Sequence, residues 1–167
     1  GDYVFFLDSD DRLDGPDAIG CLAQKALETG ADIVVGNYRK FQDNRILDVN
    51  MHHLKGGEYV GTADFRFEGF YRYGHLAYNW GKLYRRSFLD NQLFCQAYPF
   101  TQDKAHNMLC YAYGAKYEFV DDSVYLYRVN EESVTFRYKE KLVPVWISIA
   151  SDFHDILRER GREDVFG

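Results

Sequence analysis

Apolar residues fall into short blocks along this chain. Tyr3 to Leu7 is aromatic and β-branched with no polar residue inside it. It reads as a strand buried on both faces, as in the middle of a parallel sheet. Asp32 to Val35 reads as a second buried strand of the parallel type. Between them Ile19, Leu22, Ala23, Ala26 and Leu27 recur at helical spacing, which predicts a helix from Pro16 to Thr29. Pro16 suits an early helical position and Gly30 a stop. Tyr38–Phe41 and Ile46–Val49 flank Gln42-Asp43-Asn44-Arg45 and predict a hairpin. Thr62 suits the cap of a helix over 63–72. Asn79–Tyr84 reads as a short strand or irregular segment, and Ser87–Asn91 as a helical turn. Thr101 precedes a helix from Gln102 to about Tyr113, ended by Gly114. Lys116–Val120 and Ser123–Arg128 read as short strands. Glu140 to about Arg160 is a long amphipathic helix with Pro144 near its first turn.

The first apolar block ends in a cluster of carboxylates: Asp8, Asp10 and Asp11. In open α/β sheets ligands bind just beyond the carboxyl ends of the strands. Acids at such a place are candidates for a hard divalent cation, which prefers carboxylate oxygen. In extended geometry Asp8 and Asp10 point to the same side, roughly 6.6 Å apart along the strand. Other readings stay open. The acids also suit a turn into the next helix, because Asx side chains bond nearby backbone amides. A calcium loop starting at Asp10 places Asp14 and Gly15 correctly, but it puts Arg12 and Cys21 at ligand positions, where neither suits calcium. A magnesium-dependent phosphatase of the haloacid-dehalogenase type also carries D-x-D after an apolar strand. There Asp8 is the nucleophile, but Arg12 stands where Thr or Val is wanted.

Composition narrows the classes. The 167 residues fit one domain with a real core. The hydrophobic share of 46% argues against disorder, and 14 Tyr and 13 Phe supply rings for a core or for a groove that holds a ring-shaped substrate. A net charge of −6 disfavours nucleic acid as a partner, since no basic stripe is present to release phosphate counterions. Cys21, Cys95 and Cys110 form neither a zinc pattern nor a disulfide framework, so a reducing compartment is the default. No apolar run approaches the ~18 residues needed to span a bilayer, and no signal-peptide pattern is present. A central strand needs neighbours on both sides, and the pattern supplies too few. The expectation is therefore that Gly1 lies inside a larger domain.

Four segments together resemble a family 2 glycosyltransferase with the GT-A fold. They are Val4-Phe5-Phe6-Leu7-Asp8-Ser9-Asp10-Asp11, Asn79-Trp80-Gly81-Lys82-Leu83-Tyr84-Arg85-Arg86-Ser87, Phe100-Thr101-Gln102-Asp103, and Tyr127-Arg128-Val129-Asn130-Glu131-Glu132-Ser133-Val134-Thr135. Their order and spacing match the family's D-x-D strand, its N-K-L-Y-R-R-S segment, its Glu-Asp helix start and its Y-R-x-H-x-x-S-x-T segment. Two positions depart: Gln102 stands for the common Glu, and Asn130 for a His that helps hold metal or diphosphate in many relatives. The resemblance implies an α/β fold, part of a GT-A mixed sheet with flanking helices. Its nucleotide-binding half is expected before the D-x-D strand. Residues 1–138 would be the C-terminal part of the catalytic domain, and 139–167 an amphipathic helix packed on it.

The resemblance also implies a chemistry. A sugar passes from a nucleotide-diphosphate sugar to a hydroxyl of a saccharide or lipid-linked acceptor, with inversion, in polysaccharide or cell-surface glycan synthesis. Asp8, Asp10 and Asn130 would serve a divalent cation, Mg or Mn. Asp8, Asp10 and Arg128 would meet the donor, and Asp103 would be the general base. Asp11 suits the turn. In the first turn of a helix Asp103 also suits plain charge complementarity, worth ~0.3–1 kcal/mol. Trp80 and Lys82 would flank the cleft, although a lone Trp is more often core, and Lys82 and Arg85 also read as solvated charges. His52, His53, His75, His106 and His154 show no ligand spacing and read as structural. His106 lies one turn after Asp103. The resemblance implies cytoplasmic work, with peripheral membrane association of the full-length protein at the inner face. The fragment alone is expected to be inactive. A domain that binds carbohydrate or serves as a scaffold, without turnover, is the non-enzymatic alternative.

Overall fold

The computed structural model describes residues 1–47, 74–90, 98, 101–129 and 142–162. In chain order these residues form β1 (Tyr3–Phe5), β2 (Arg12–Leu13), α1 (Ala18–Thr29), β3 (Ile33–Gln42) and β4 (Arg45–Leu47). A 3-10 turn (Gly74–Ala77), β5 (Lys82–Arg85), α2 (Arg86–Asp90), α3 (Gln102–Ala112), β6 (Tyr117–Arg128) and α4 (Leu142–Glu159) follow. The predicted helix over 63–72 lies outside the described residues, as do Asn130, Cys95, His52 and His53.

The sheet is built around β3. Ile33, Val34 and Val35 have no exposed surface, and their alternation assigns each to a face. Ile33 and Val35 join Tyr84, Tyr117 and Phe119 under Leu76, Cys110, Tyr111, Phe153 and Leu157. That layer is supplied by α3, α4 and the 3-10 turn. Val34 faces the other way and joins Leu83, Val124 and Tyr125 against Ala18, Leu22 and Ala26 of α1. Helices therefore cover both faces of a mixed α/β sheet, as expected. Along the sheet the order is β1-β5-β3-β6-β2, with β4 paired to β3. β5 runs antiparallel to β3 over Ile33–Val35, and β6 runs parallel to it on the other side.

Several predicted elements stand with small shifts. α1 starts at Ala18 and ends at Gly30, whose φ of 67° lets its N–H reach Ala26 O. The hairpin closes over Asp43 and Asn44, both at positive φ (48° and 62°), the conformation of a tight turn between twisted strands. The two strands expected at 116–128 are one strand, β6, with a register shift opposite Asn37. Gly36 sits at that irregularity. A Cβ there would lie 2.5 Å from Val124 Cγ2 and 2.8 Å from Cγ1.

The reading of Tyr3–Leu7 as a central strand of a parallel sheet needs correction. β1 pairs antiparallel with β5, its residues are only partly buried, and Leu7 is 49% exposed. An apolar run records that both faces meet other side chains, but carries no information on strand direction or on which edge is paired. Tyr3 and Phe5 pack toward α1, and Val4 and Phe6 toward the other layer.

His106 belongs to this core. It is 2% exposed, 3.7 Å from Cys110 Sγ and beside the Tyr84 ring. Burial, helped by the nearby Lys82, lowers its pKa from 6.5 to about 4.

Gly36→Ala is expected to destabilise the domain by about 1–3 kcal/mol, because Val124 has no room to retreat; urea unfolding measures it. His106 gives a pH-dependent signature. Between about pH 4 and 6.5 the unfolded chain binds a proton at His106 that the folded chain does not. Its contribution to stability therefore falls as pH drops through that window, and it is constant above it. His106→Gln is expected to flatten the stability-against-pH curve there, as read by denaturation midpoints at a series of pH values.

Candidate active site

β1 delivers the chain to a tight turn, not to further extended strand. Asp11 N donates to Asp8 O at 3.1 Å, so the extended-strand spacing of Asp8 and Asp10 does not hold. Both side chains stay exposed. Asp11 behaves differently: it is 9% exposed and both its carboxylate oxygens are engaged. Tyr125 Oη donates to Oδ2 at 2.8 Å, and Arg128 N donates to Oδ1 at 2.7 Å. Asp8 N in turn donates to Tyr125 Oη at 3.2 Å, and Arg128 Nε donates to Asp10 O at 2.8 Å. Burial raises the Asp11 pKa, and the hydrogen bonds from Arg128 and Tyr125 oppose it. The turn-shaping reading thus holds for Asp11, which ties the D-x-D turn to the end of β6. Arg128 is brought to the same turn, its guanidinium 5.3 Å from the Phe41 ring.

Asp103 comes from the opposite half of the chain, in the first turn of α3. The Asp8 pKa is raised, first by partial burial, then by the negative charges of Asp11, Asp103 and Asp10. Asp103 is therefore near enough to Asp8 for their charges to repel. Exposed, mutually repelling carboxylates at Asp8 and Asp10 suit a hard cation in chemistry and charge. Among the described residues no group of three or more His, Cys, Asp or Glu side chains is arranged to hold a metal ion.

The helix start is locally strained. Thr101 has φ 59° and ψ 24° and makes no side-chain cap bond. A β-branched residue in this left-handed region costs on the order of 1–3 kcal/mol. Gln102 Nε2 donates to Tyr98 O at 2.8 Å, a bond the family's usual Glu has no proton to make.

Trp80 and Lys82 are core residues, so the solvated-charge reading of Lys82 is overturned. Lys82 has no exposed surface, and its Nζ donates to His75 O at 3.0 Å, to Tyr78 O, and to Trp80 O at 3.5 Å. An ammonium has three donors and here meets three carbonyls, which is what makes its burial tolerable. Burial lowers the Lys82 pKa to about 7, and the Asp103 carboxylate pulls it back up. Arg85 is held as well, donating from Nη2 to Ala31 O at 2.9 Å. Trp80 is 6% exposed and stacks on Tyr125 and Tyr78, with centroids 5.0 and 5.4 Å away.

Sequence reasoning missed Tyr125 and Asn107. Asn107 is one turn after Asp103 on the same face of α3 and has no exposed surface. An Asn at that spacing, on a face of core residues, was the available signal. Nothing in the sequence marks Tyr125 among 14 tyrosines.

Residues 1–93 match the sequence model of glycosyl transferase family 2, and the chain belongs to that family. It is 28% identical to glycosyltransferase GlyA of Streptococcus pneumoniae serotype 4, over 96% of this chain and 24% of GlyA. It is 24% identical to EpsH of Bacillus subtilis strain 168, named as a glycosyltransferase, over 97% of this chain and 47% of EpsH. The chain thus spans about a quarter and about half of these two relatives. Its fold is similar to that of Staphylococcus aureus TarS residues 1–349 in complex with UDP-GlcNAc. The TM-score is 0.66 at 18% identity, covering 95% of this chain and 47% of that one. The UDP complex of the same protein gives 0.62. These neighbours agree with the GT-A-like sheet.

Asp11 and Asp10 are expected to separate cleanly by mutation. Asp11→Ala leaves the Tyr125 hydroxyl and the Arg128 amide without an acceptor and should cost about 1–3 kcal/mol. Asp10→Ala, at an exposed carboxylate, should stay within about 0.5 kcal/mol of the parent. Thermal and urea denaturation of both variants make the comparison.

Proposed function

We propose that this protein transfers a sugar from a nucleotide-diphosphate sugar to an acceptor hydroxyl, with inversion, in the synthesis of a polysaccharide or cell-surface glycan. The observation that carries this reading is the docking of the Asp8–Asp11 turn onto the end of β6 through Asp11, which brings Asp8, Asp10 and Arg128 to one place. Family membership and the likeness to a protein crystallised with UDP-GlcNAc and UDP support it.

The roles follow from position. Asp103 takes the proton of the acceptor hydroxyl as that oxygen attacks the anomeric carbon. The bond from that carbon to the diphosphate breaks, and the nucleoside diphosphate leaves with the electron pair. Attack from the face opposite the leaving group inverts the centre. Asp8 and Asp10 would hold a divalent cation, Mg or Mn, which when bound offsets the charge on the departing diphosphate. Asn130, the remaining residue assigned to that cation, lies outside the described residues. Arg128, anchored by its backbone to Asp11, presents a guanidinium suited to diphosphate oxygens.

The acceptor is proposed to be a saccharide or a lipid-linked saccharide. No helix among the described residues is long and apolar enough to cross a membrane. Work in the cytoplasm is proposed, with peripheral contact at the inner face of the membrane where the acceptor is lipid-linked.

In the full-length protein, Asp103→Asn should lower kcat by about 10²–10⁴-fold, the usual worth of a general base. Donor affinity should hold, because the base meets the acceptor. Asp10→Ala should do the reverse in a titration of UDP-GlcNAc with Mn²⁺, removing metal-dependent binding. Near-normal kcat in the first variant ends the assignment of Asp103, and unchanged binding in the second ends that of Asp10.

A further inference from the structure

Asp103 is the end of a hydrogen-bond chain that starts in the core. Tyr84 Oη donates to Asn107 Oδ1 at 2.9 Å. Asn107 Nδ2 donates to Asn79 Oδ1 at 2.9 Å, and Asn79 Nδ2 donates to Asp103 Oδ1 at 3.2 Å. The direction of this chain is dictated by its surroundings. Asn107 Nδ2 is also 2.8 Å from the main-chain carbonyl of Asp103, which only accepts. The Asn107 nitrogen must therefore lie on that side and its oxygen toward Tyr84. The atom of Asn79 that meets this nitrogen must then be oxygen, which turns the Asn79 N–H toward the carboxylate. Either amide flipped would set donor against donor or acceptor against acceptor. The loop that carries Asn79 has little freedom to escape, because Lys82 grips the carbonyls of His75, Tyr78 and Trp80 on both sides of it.

We propose that Asn79 is a positioning residue for the Asp103 carboxylate, itself oriented by Asn107 and Tyr84. The proposal rests on the reading of Asp103 as the base. Asn79 occupies Oδ1, which holds the carboxyl plane and leaves Oδ2 as the oxygen that takes the acceptor's proton. A carboxylate on a half-buried helix start would otherwise rotate about its two side-chain torsions, and a misplacement of about 1 Å at a reacting atom costs on the order of 10²-fold in rate. Because the three links point the same way, each polarises the next.

The test uses the full-length protein and follows kcat beside the acceptor KM, the donor Kd and the thermal midpoint. Asn79→Ala should lower kcat by about 10-fold, the worth of a hydrogen bond to a charged group. The acceptor KM and the donor Kd should stay unchanged, because only the orientation of the base is lost. Tyr84→Phe keeps the ring packed and removes only the hydroxyl, and it should lower kcat by less, again with KM and Kd unchanged. Asn79→Ser, too short to reach Oδ1, supplies the same readout if the alanine variant does not fold. A merely structural role for Asn79 would lower thermal stability and leave kcat of the folded protein at the parent value, and that result overturns the proposal. Asp103→Asn run alongside separates the two readings. If that variant is inactive while Asn79→Ala keeps the parent kcat, only the positioning role falls. If Asp103→Asn retains activity, the base assignment fails and the positioning role with it.

Discussion

A single buried carboxylate, that of Asp11, decides where the D-x-D turn sits. A buried carboxylate is costly unless its oxygens are met by donors, and here the donors are Tyr125 Oη and Arg128 N, both on β6. Satisfying Asp11 therefore docks the end of β1 onto the end of β6. Asp8, Asp10 and Arg128 follow as consequences of that docking. The two exposed acids are left on the outer side of the turn, and the arginine is held at its foot by Asp10 O. The placement is rigid because Tyr125 both accepts from Asp8 N and donates to Asp11.

The second half of the site is assembled by amides and an ammonium. Lys82 is enclosed in the core, where three backbone carbonyls replace the water its charge would have had. The loop it clamps presents Asn79 to α3, and Asn107 reads the register of that loop against the helix. Desolvation of Lys82 is compensated, whereas that of Asp8 is not. Lys82 gains acceptors and the field of Asp103, whereas Asp8 gains only like charges. That imbalance leaves Asp8 among like charges, a setting that favours a cation.

The sheet tolerates this arrangement because β3 is secured on both faces by apolar alternation. Ile33 and Val35 commit one face to α3 and α4, and Val34 commits the other to α1. A slip of one residue would exchange the two sets. Gly36 then allows the strand to pass Val124 at its closest approach. Among the described residues, Thr101, next to the helix start that carries Asp103, is the non-glycine residue at positive φ outside the Asp43–Asn44 turn.

Much of this was written in the sequence, because it depends on near neighbours along the chain. The spacing of Leu22 and Ala26, the stop at Gly30 and the hairpin over Asp43 and Asn44 are local matters of periodicity and φ. Clustered acids after Leu7, and an acid opening α3, were legible for the same reason. The direction of β1, the merging of two predicted strands into β6, and the burial of Lys82 and Trp80 were not. Each depends on partners far away in the chain, and an apolar run or a lone charge looks the same whichever partner it finds. The division among the three acids shows this most clearly. Asp8, Asp10 and Asp11 are chemically identical in the sequence, and only the arrival of Tyr125 and Arg128 from β6 makes one of them structural and leaves the other two exposed.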